Sequence, residues 1–384
     1  MVDSNLRVAI VTYNRPDCNC GGIEDHLYQL IKGLSGKGFT FYVFYAVNKK
    51  FEKSRDELSK YCKPIGIHCS FPEDSTLFHP LRKVEFNLRL YRIVKRSGLD
   101  IIQLNGDNGL VPRKSPVISV QYGATTIRKV LKFGGDFWIK GIPRLLYSLP
   151  SIFFELYGIS MSREIVIDND TTLDFMNRFF SRKKISLIYD LIDVEKFKPV
   201  RKNILSRQIF NMKDDRIYAI WVSSSIEKGL ADALKAIKRT RRTHLLVVGI
   251  SSDDKDDKVT YLGHLSHEQL ATYMSLSDYF ILPTRKRAID LAVIDAISCG
   301  LVPVLYKSAY SFLFKEEQAF LADNLDDLES IVMKIDDNPK LLAMKNPKGV
   351  SDRFLPDRIL SAFSEVYRNV LSDIKGDDNK VEMR

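Results

Sequence analysis

The sequence has no hydrophobic run long enough to form a membrane-spanning helix. Such a helix needs about 20 consecutive apolar residues, but the most apolar stretch, residues 141–161, contains two prolines and two charged residues. The N-terminus leads directly into a strand-like segment without a small-residue cleavage site, so we expect no secretory signal peptide. These absences predict a cytoplasmic protein. Its amphipathic stretch 127–158 could still attach peripherally to the inner face of an anionic membrane surface.

Cysteine is also scarce. The chain has five cysteines, an odd number, which fits a reduced cytosolic protein better than a disulfide framework. Neither the pair Cys18 and Cys20 nor the cysteines and histidine of residues 62–69 have the ligand spacing of a known zinc module. We therefore expect neither a metal site nor a cofactor.

Basic residues outnumber acidic ones, 58 to 48, which gives a formal net charge of +10. This balance favours anionic partners such as nucleotides, phosphates, nucleic acid or an anionic membrane surface, without choosing among them. The most basic run, residues 235–242, lacks interleaved aromatic residues and lies at the end of a predicted helix, where cations are favourable. We therefore do not expect nucleic acid to be the partner.

The chain of 384 residues is long enough for two domains. Residues 1–195 contain about six strand-like segments separated by helices or loops, and residues 196–355 repeat the pattern. The polar, basic segment 195–216 predicts the connection between them. Residues 356–384 begin with an amphipathic helix predicted to end at residue 375 and to cross back to the first domain, followed by a tail expected to be disordered. The predicted fold is α/β, with two Rossmann-like doubly wound domains and a cleft between them.

Two strand-to-helix turns carry groups that suit a phosphate. Gly21 and Gly22 follow the first strand, and Lys228 and Gly229 follow the first strand of the second half. Backbone N–H groups at a helix N-terminus attract anions, glycine lets a ligand approach closely, and a lysine adds a positive charge. Each turn alone fits equally well a plain loop-to-helix turn or a solvated lysine.

A third turn, residues 285–287, carries three cations, and Asp295 lies two turns into the helix that follows. A carboxylate on an otherwise apolar helix needs a partner, which could be a ribose diol or an internal arginine. Arg287 could hold a phosphate or face water. We expect the three cations to face donor phosphates or an acidic sugar.

Together, these turns resemble those of retaining glycosyltransferases of family 4, which have the two-domain GT-B fold. The resemblance covers residues 6–372. The family's first turn is matched by Gly21, Gly22, Ile23, Glu24 and His26. Its crossover motif is matched by Asp193, Phe197 and Pro199, and its diphosphate turn by Lys228 and Gly229. Segment 259–284 is similar to a further family motif over its whole length, and segment 291–304 is similar to another.

The resemblance implies transfer of a sugar from a nucleotide-sugar donor, held by the second domain, to an acceptor hydroxyl, with retention of configuration. It also implies independence of metal ions, because helix N-termini and cations neutralise the leaving diphosphate. We expect the acceptor to be a glycan or a lipid-linked glycan bound by the first domain, and the lipid-linked form rests on the basic balance and the amphipathic stretch 127–158. Implied donor-binding residues are Gly21, Gly22, Ser223, Lys228, Gly229, Arg287 and Asp295. Implied catalytic residues are Gln121, Tyr122 and Lys228.

The sequence departs from the family pattern within the site. Ser223 replaces an arginine, and Arg287 replaces the first of two glutamates, the one that contacts the donor sugar. Asp295 stands at the second glutamate. Gln121, or Tyr122 in a shifted register, stands where the family has a histidine. These changes imply either an unusual donor or lost activity.

Two other functions therefore stay open. One is a catalytically inactive GT-B partner that binds nucleotide or protein, and the other is an epimerase of similar two-domain build. The family's crossover motif also contains an asparagine and a glycine. Asp190 and Leu191 replace them here, which adds to the divergence. A metal-dependent, single-domain glycosyltransferase would use an Asp-x-Asp such as residues 168–170. Because the chain has two α/β halves, we interpret that segment as a helix N-cap.

Overall fold

The computed structural model describes residues 5–18, 22–48, 56–73, 77–113, 115–122, 142–199, 207, 210, 212–254, 256–287 and 289–382. The chain divides into two compact domains. The first comprises residues 1–191 together with 357–384, and the second comprises residues 192–356.

The strands are numbered in chain order. In the first domain they are β1 (Leu6–Val11), β2 (Phe39–Ala46), β3 (Cys62–Ile67), β4 (Ile101–Asn105), β5 (Val117–Gln121), β6 (Glu164–Ile167) and β7 (Lys184–Leu187). In the second domain they are β8 (Ile217–Val222), β9 (Thr243–Val248), β10 (Val259–Gly263), β11 (Tyr279–Leu282), β12 (Val302–Tyr306) and β13 (Phe320–Ala322).

The helices are also numbered in chain order. The first domain contains α1 (Gly22–Leu34), α2 (His79–Val94), α3 (Ile142–Met161), α4 (Asp170–Phe179) and, at the C-terminal end of the chain, α11 (Pro356–Glu382). The second domain contains α5 (Leu230–Lys238), α6 (His267–Leu276), α7 (Leu291–Ser298), α8 (Lys307–Tyr310), α9 (Leu325–Asp337) and α10 (Lys348–Ser351). In the described ranges, no helix combines the length and apolar character that a membrane span requires.

The first domain is a parallel sheet with the strand order β3-β2-β1-β4-β5-β6-β7. Strand β1 reads LRVAIV, and the four residues Val8–Val11 are completely buried. Such continuous apolar strands are typical of a parallel sheet that is covered on both faces. The chain winds from β1 to β2 on one side and to β4 on the other, so the switch point of this sheet lies between β1 and β4.

Helix α11 completes the core of the first domain. Its apolar face carries Phe363 and Tyr367, which pack in the same cluster as Phe41 of β2 and the buried face of α1. A Cβ added to Gly33 of α1 would lie 2.5 Å from Leu360, so this glycine allows the two helices to touch. The C-terminal segment therefore belongs to the first domain although it follows the second in sequence.

The second domain is a parallel sheet with the strand order β10-β9-β8-β11-β12-β13. Its switch point lies between β8 and β11, since the chain winds from β8 outward to β9 and returns to β11 on the other side. Trp221 and Phe280, on β8 and β11, are fully buried. Helix α6 begins at Ser266, whose hydroxyl accepts a hydrogen bond from the N–H of Gln269, as a capping box requires.

The two α/β sheets confirm the predicted fold class, and the structure corrects several details. Strands β3 and β13 are additional to those predicted, and both lie at sheet edges. Strand β3 contains Pro64, which an edge strand tolerates because one of its sides needs no ladder hydrogen bonds. Helix α11 continues to Glu382, beyond its predicted end, through the tail that was expected to be disordered. Cys18 is disulfide-bonded, against the expectation of a fully reduced chain.

Candidate functional site

The loops that follow β8 and β11 bring a cation and a carboxylate together at the switch point of the second domain. Lys228 ends a short 3-10 helix after β8, and its Nζ forms an ion pair with Oδ1 of Asp290, which follows β11. The hydroxyl of Tyr310 donates a 2.5 Å hydrogen bond to Oδ2 of the same carboxylate. Ligands of open parallel sheets bind at such a point, beyond the carboxyl ends of the strands.

Gly229 makes this arrangement possible. Its φ is +85°, in the left-handed region that glycine favours, and a Cβ at this position would lie 2.0 Å from the carbonyl oxygen of Pro283. The two loops are therefore in backbone contact next to Lys228. Helix α5 starts at the following residue, so its N–H groups and the positive end of its dipole face the same loops.

The three cations of residues 285–287 have separate surroundings within the second domain. Arg285 forms a 2.8 Å ion pair with Asp232. Lys286 pairs with Glu227, and both of these side chains are exposed. The guanidinium of Arg287 lies 4.6 Å from the ring centroid of Phe312, and the side chain is exposed. Two of the three cations are thus engaged by carboxylates of their own domain.

Two further predicted donor residues lie on the same domain. The hydroxyl of Ser223, directly after β8, accepts a 3.0 Å hydrogen bond from the N–H of Ser225 and shapes the loop before Lys228. Asp295 is half-buried in the middle of α7. Burial raises the pKa of Cys299 to about 12, and the charge of Asp295 acts in the same direction.

In the first domain, the turn after β1 leads to a buried neutral histidine. Gly22 begins α1, whereas Gly21 lies outside the described residues. His26 is 1% exposed, and its Nδ1 accepts a 3.0 Å hydrogen bond from the N–H of Leu191. Burial lowers the pKa of His26 to about 3, so the ring is neutral at physiological pH and Nε2 carries the proton. That Nε2 has no hydrogen-bond partner.

A carboxyl group lies beside this histidine. Oδ1 of Asp190 is 3.4 Å from Nδ1 of His26. Burial raises the pKa of Asp190 well above its ordinary value, and the nearby charge of Asp168 adds to the effect. Burial therefore disfavours charge on both partners of the contact between His26 and Asp190.

Gln121 and Tyr122, the predicted catalytic residues, differ in what their side chains can reach. Gln121 is 2% exposed, and its amide nitrogen donates to the carbonyl of Gly106 and to the hydroxyl of Ser119. Tyr122 is half-buried; its hydroxyl donates to Asn105, and its ring lies edge-on to His26 with centroids 5.8 Å apart. Tyr122 thus belongs to the histidine and carboxyl cluster, whereas the Gln121 amide is used within the sheet.

Sequence reasoning missed Asp290 and Tyr310. Asp290 stands before an apolar helix and is the N-cap of α7, a position that carboxylates favour. Its side chain makes no capping hydrogen bond and holds Lys228 instead, which the sequence pattern could not reveal.

Over the described ranges, no three histidine, cysteine, aspartate or glutamate side chains group together as metal ligands. Asn169 caps α4 through the N–H of Thr172, as predicted for the segment 168–170.

Comparison with known proteins identifies the architecture. Over 96% of this chain and all of the other, the structure superposes on sucrose-phosphate synthase from Thermosynechococcus elongatus with a TM-score of 0.73 and 17% identity. The fold is GT-B. The glycosyltransferase WaaG, involved in lipopolysaccharide biosynthesis, shares this GT-B fold with a TM-score of 0.68 and 14% identity, over 92% of this chain and 99% of WaaG. Anabaena HepE, solved in complex with UDP and glucose, superposes with a TM-score of 0.67 and 12% identity, over 95% of this chain and all of HepE.

Sequence comparisons locate the family signal in the second GT-B domain. Residues 217–337 match the family model described as glycosyl transferases group 1. The O-antigen biosynthesis glycosyltransferase WclY of Escherichia coli is 21% identical over 211 residues. That alignment covers 51% of this chain and 59% of WclY, so the chain spans about three fifths of the length of this curated relative. The matched segment begins at β8 and includes Lys228, Gly229 and Asp290.

Proposed function

We propose that this protein is a glycosyltransferase that moves a sugar from a nucleotide-sugar to an acceptor hydroxyl. The observation that carries the proposal is the Lys228 and Asp290 pair at the switch point of a domain that matches the group 1 glycosyltransferases. Lys228 offers a point charge for a diphosphate, and the N-terminus of α5 offers a second positive region beside it. Gly229 lets the loops after β8 and β11 touch, which keeps Lys228 beside Asp290.

The chemistry follows from the charge that develops on the leaving group. When the bond between the sugar and the diphosphate breaks, negative charge grows on the diphosphate oxygens. Donors that are already positioned stabilise this charge without reorganising during the reaction. Asp290 and Tyr310 restrict the ammonium group of Lys228 to one location, so they would act as positioning residues. Because Lys228 and the N-terminus of α5 supply positive charge, we propose that transfer needs no metal ion. Retention of configuration is proposed from the resemblance to retaining glycosyltransferases.

We further propose that the acceptor is a glycan or a lipid-linked glycan bound by the first domain. The names of WclY and WaaG refer to O-antigen and lipopolysaccharide biosynthesis, which supports an acceptor of this class. Tyr122 would lie near the acceptor, and the neutral His26 beside it could hydrogen-bond a hydroxyl through Nε2. In this role Nε2–H donates to the hydroxyl oxygen and does not take up its proton, because Nδ1 already accepts from Leu191 and burial lowers the pKa of His26 to about 3.

Membrane attachment is part of this proposal. Helix α3 exposes four large apolar side chains by 40% or more, namely Tyr147, Leu149, Phe153 and Leu156. At the end of α3, a cavity of about 480 Å³ is lined by four cations, Arg113, Arg163, Arg182 and Lys183, and by one carboxylate, Asp373. Apolar side chains next to cations are what a peripheral anionic membrane surface would bind. Flotation with vesicles that contain anionic lipid should recover the protein, and vesicles of neutral lipid should not.

The experiment that tests the donor site is a thermal-shift and calorimetric screen of nucleoside diphosphates and their sugars. At least one should bind, and Lys228→Ala should weaken it roughly 10- to 100-fold, the value of a hydrogen bond to a charged group. Lys235→Ala, on the exposed face of α5, is the matched control and should bind as the wild type does. Addition of EDTA should change neither binding nor transfer. Equal affinity in the two lysine variants would remove the donor site from this position.

A second candidate function is a catalytically inactive GT-B partner. The presence of Ser223 and Arg287 at positions where the resembling family has an arginine and a glutamate favours it. Hydrolysis and transfer measured over a panel of nucleotide-sugars separates the two functions. Nucleotide binding without turnover of any donor would support the inactive partner. Product that forms without an acceptor would instead support an epimerase.

A further inference from the structure

A second polar cluster lies in the first domain, at the carboxyl ends of three neighbouring strands. Tyr13 follows β1, and Asp107 follows β4. Arg82 and Lys83, in the first turns of α2, reach the same edge: Arg82 donates to the carbonyl of Val47 just after β2, and Lys83 pairs with Asp107. The strand order is β2-β1-β4, so the cluster spans the switch point, where doubly wound sheets bind ligands.

Polar atoms without partners are concentrated at this edge. In the described part of the chain, six buried side-chain nitrogen or oxygen atoms lack a hydrogen bond. Five of the six belong to residues at the carboxyl end of the first sheet: Tyr13, His26, Arg82, Asn108 and Asp190. An unpaired buried polar group costs about 1–3 kcal/mol, so the two that belong to this cluster, on Tyr13 and Arg82, point to a ligand that would pair with them.

Within the cluster, the unpaired groups are donors. They are the Nε–H of Arg82 and the hydroxyl of Tyr13. Arg82 and Lys83 are buried, with side chains 3% and 5% exposed. Asp107, the partner of Lys83, is 28% exposed. The cations are therefore fixed inside the cluster, and the negative charge that balances them lies nearer to solvent.

Each buried cation has one carboxylate partner, and the contact between Arg82 and Glu73 is the looser of the two. The closest approach of Glu73 to Arg82 is 3.7 Å, too long for a hydrogen bond. Burial lowers the pKa of His79, and the charge of Lys83 acts in the same direction, so the imidazole adds no positive charge at neutral pH. Its ring centroid lies 5.5 Å from that of Tyr13. A ligand with acceptor oxygens could take hydrogen bonds from Arg82 that Glu73 does not take. A negative ligand gains most, because buried cations interact strongly with charge in a medium of low dielectric constant.

We infer that Tyr13, Arg82 and Lys83 form a subsite for an oxyanion carried by the acceptor. The ligand group is the carboxylate of an acidic sugar or the phosphate of a sugar phosphate, and the first domain would thereby select acidic over neutral acceptors. This inference rests on the proposed function, because it names the acceptor class. The subsite is separate from Lys228, which lies on the other domain.

The test uses three probes that share the glucose ring and differ at C6: glucose is neutral there, glucuronate carries a carboxylate and glucose 6-phosphate carries a phosphate. Binding to the full chain is measured by calorimetry. Wild-type protein should bind at least one charged probe ten or more times as tightly as glucose. Tyr13→Phe removes a hydroxyl that has no protein partner, so it should fold normally and weaken binding of the charged probe roughly 10- to 100-fold, the value of one hydrogen bond to a charged group. Arg82→Gln should weaken it further.

Arg89→Gln is the control on the same helix, because Arg89 is 45% exposed and pairs with Glu85 away from the cluster. It should bind every probe as the wild type does. Three outcomes would overturn the inference: glucose bound as tightly as glucuronate and glucose 6-phosphate, no probe bound at all, or Tyr13→Phe equal to the wild type. Binding of UDP to the wild type is measured in parallel. If UDP fails to bind while the charged probe needs Tyr13, the donor proposal falls and the oxyanion subsite stands; the reverse result drops the subsite alone.

Discussion

Replacement of Gly229 by alanine should damage both the stability of the second domain and its affinity for nucleotide. An alanine with a φ of +85° costs about 1–2 kcal/mol, because Cβ crowds the following carbonyl in the left-handed region. The new Cβ would also lie 2.0 Å from the carbonyl oxygen of Pro283, and real contacts of this kind do not fall below 3.0 Å. The two loops must therefore separate by about 1 Å (3.0 minus 2.0), and overpacking of this kind costs about 1–3 kcal/mol. Together we expect a loss of about 3 kcal/mol.

Gly300→Ala is a matched control in the same domain. Gly300 has a φ of +83°, almost that of Gly229, but its added Cβ would lie 3.6 Å from Pro199, an ordinary contact. This variant should lose only the conformational cost of about 1–2 kcal/mol. The difference between the two variants thus isolates the steric contact between the loops that carry Lys228 and Asp290.

Urea unfolding followed by fluorescence gives the measurement. Trp221 is fully buried in β8, and its indole N–H lies 3.4 Å from the carbonyl of Lys228, so its emission reports on this region. The other tryptophan, Trp138, lies outside the described residues and is replaced by phenylalanine in the background. Nucleotide affinity should fall in Gly229→Ala and not in Gly300→Ala. If Gly229→Ala proved as stable as Gly300→Ala, the close approach of the two loops would be refuted.

Three further variants test other contacts through urea unfolding. Burial, with a contribution from Asp168, raises the pKa of Asp190 above its unfolded value, so wild-type stability should fall as the pH rises above about 4. Asp190→Asn should then be the more stable protein at pH 8 and show no gain at pH 4. Burial alone would raise the pKa of Asp336, but hydrogen bonds from the Thr243 hydroxyl and from the backbone of Arg241, Arg242 and Thr243 lower it. The stabilisation by Asp336 is therefore present above pH 4 and lost below about that value. Asp336→Asn should cost about 2 kcal/mol at pH 7 and less at pH 3. Ser266→Ala should lose about 1 kcal/mol at any pH, because it removes the capping box of α6.

The sequence predicts the fold well because buried parallel strands leave a strong local signal. Strand β9, for example, reads THLLVV with every residue buried, and its short length and β-branched residues favour a strand over a helix. Strand β3 leaves no such signal. Its segment contains Pro64 and Gly66, and it forms a strand only because Phe41–Ala46 offer it an open edge. This strand forms through pairing with β2, which the local sequence pattern of residues 62–67 could not predict.

The candidate site divides in the same way. The sequence shows a lysine and a glycine, Lys228 and Gly229, soon after a buried strand. The structure puts both residues at the switch point of the second sheet. The partner of Lys228 could not be predicted, because Asp290 is 62 residues away and becomes a neighbour only through the adjacency of β8 and β11. The predicted role of Arg287 depended on where its loop points, which strand order alone does not determine.

The position of Asp290 also bears on whether the protein is active. The resembling family places a glutamate at position 287, and Arg287 reverses that charge. The same loop nevertheless carries a carboxylate three residues later, held by Lys228 on one oxygen and by Tyr310 on the other. A group with two partners is fixed in orientation, as a contact to a donor sugar requires. The loss of a glutamate at 287 is therefore not the loss of a carboxylate from this loop, which favours an enzyme over an inactive partner. Asp290→Asn, which keeps the shape and removes the charge, should lower kcat more than nucleotide affinity if this carboxylate contacts the sugar. An unchanged kcat would leave Asp290 as a structural counter-ion of Lys228.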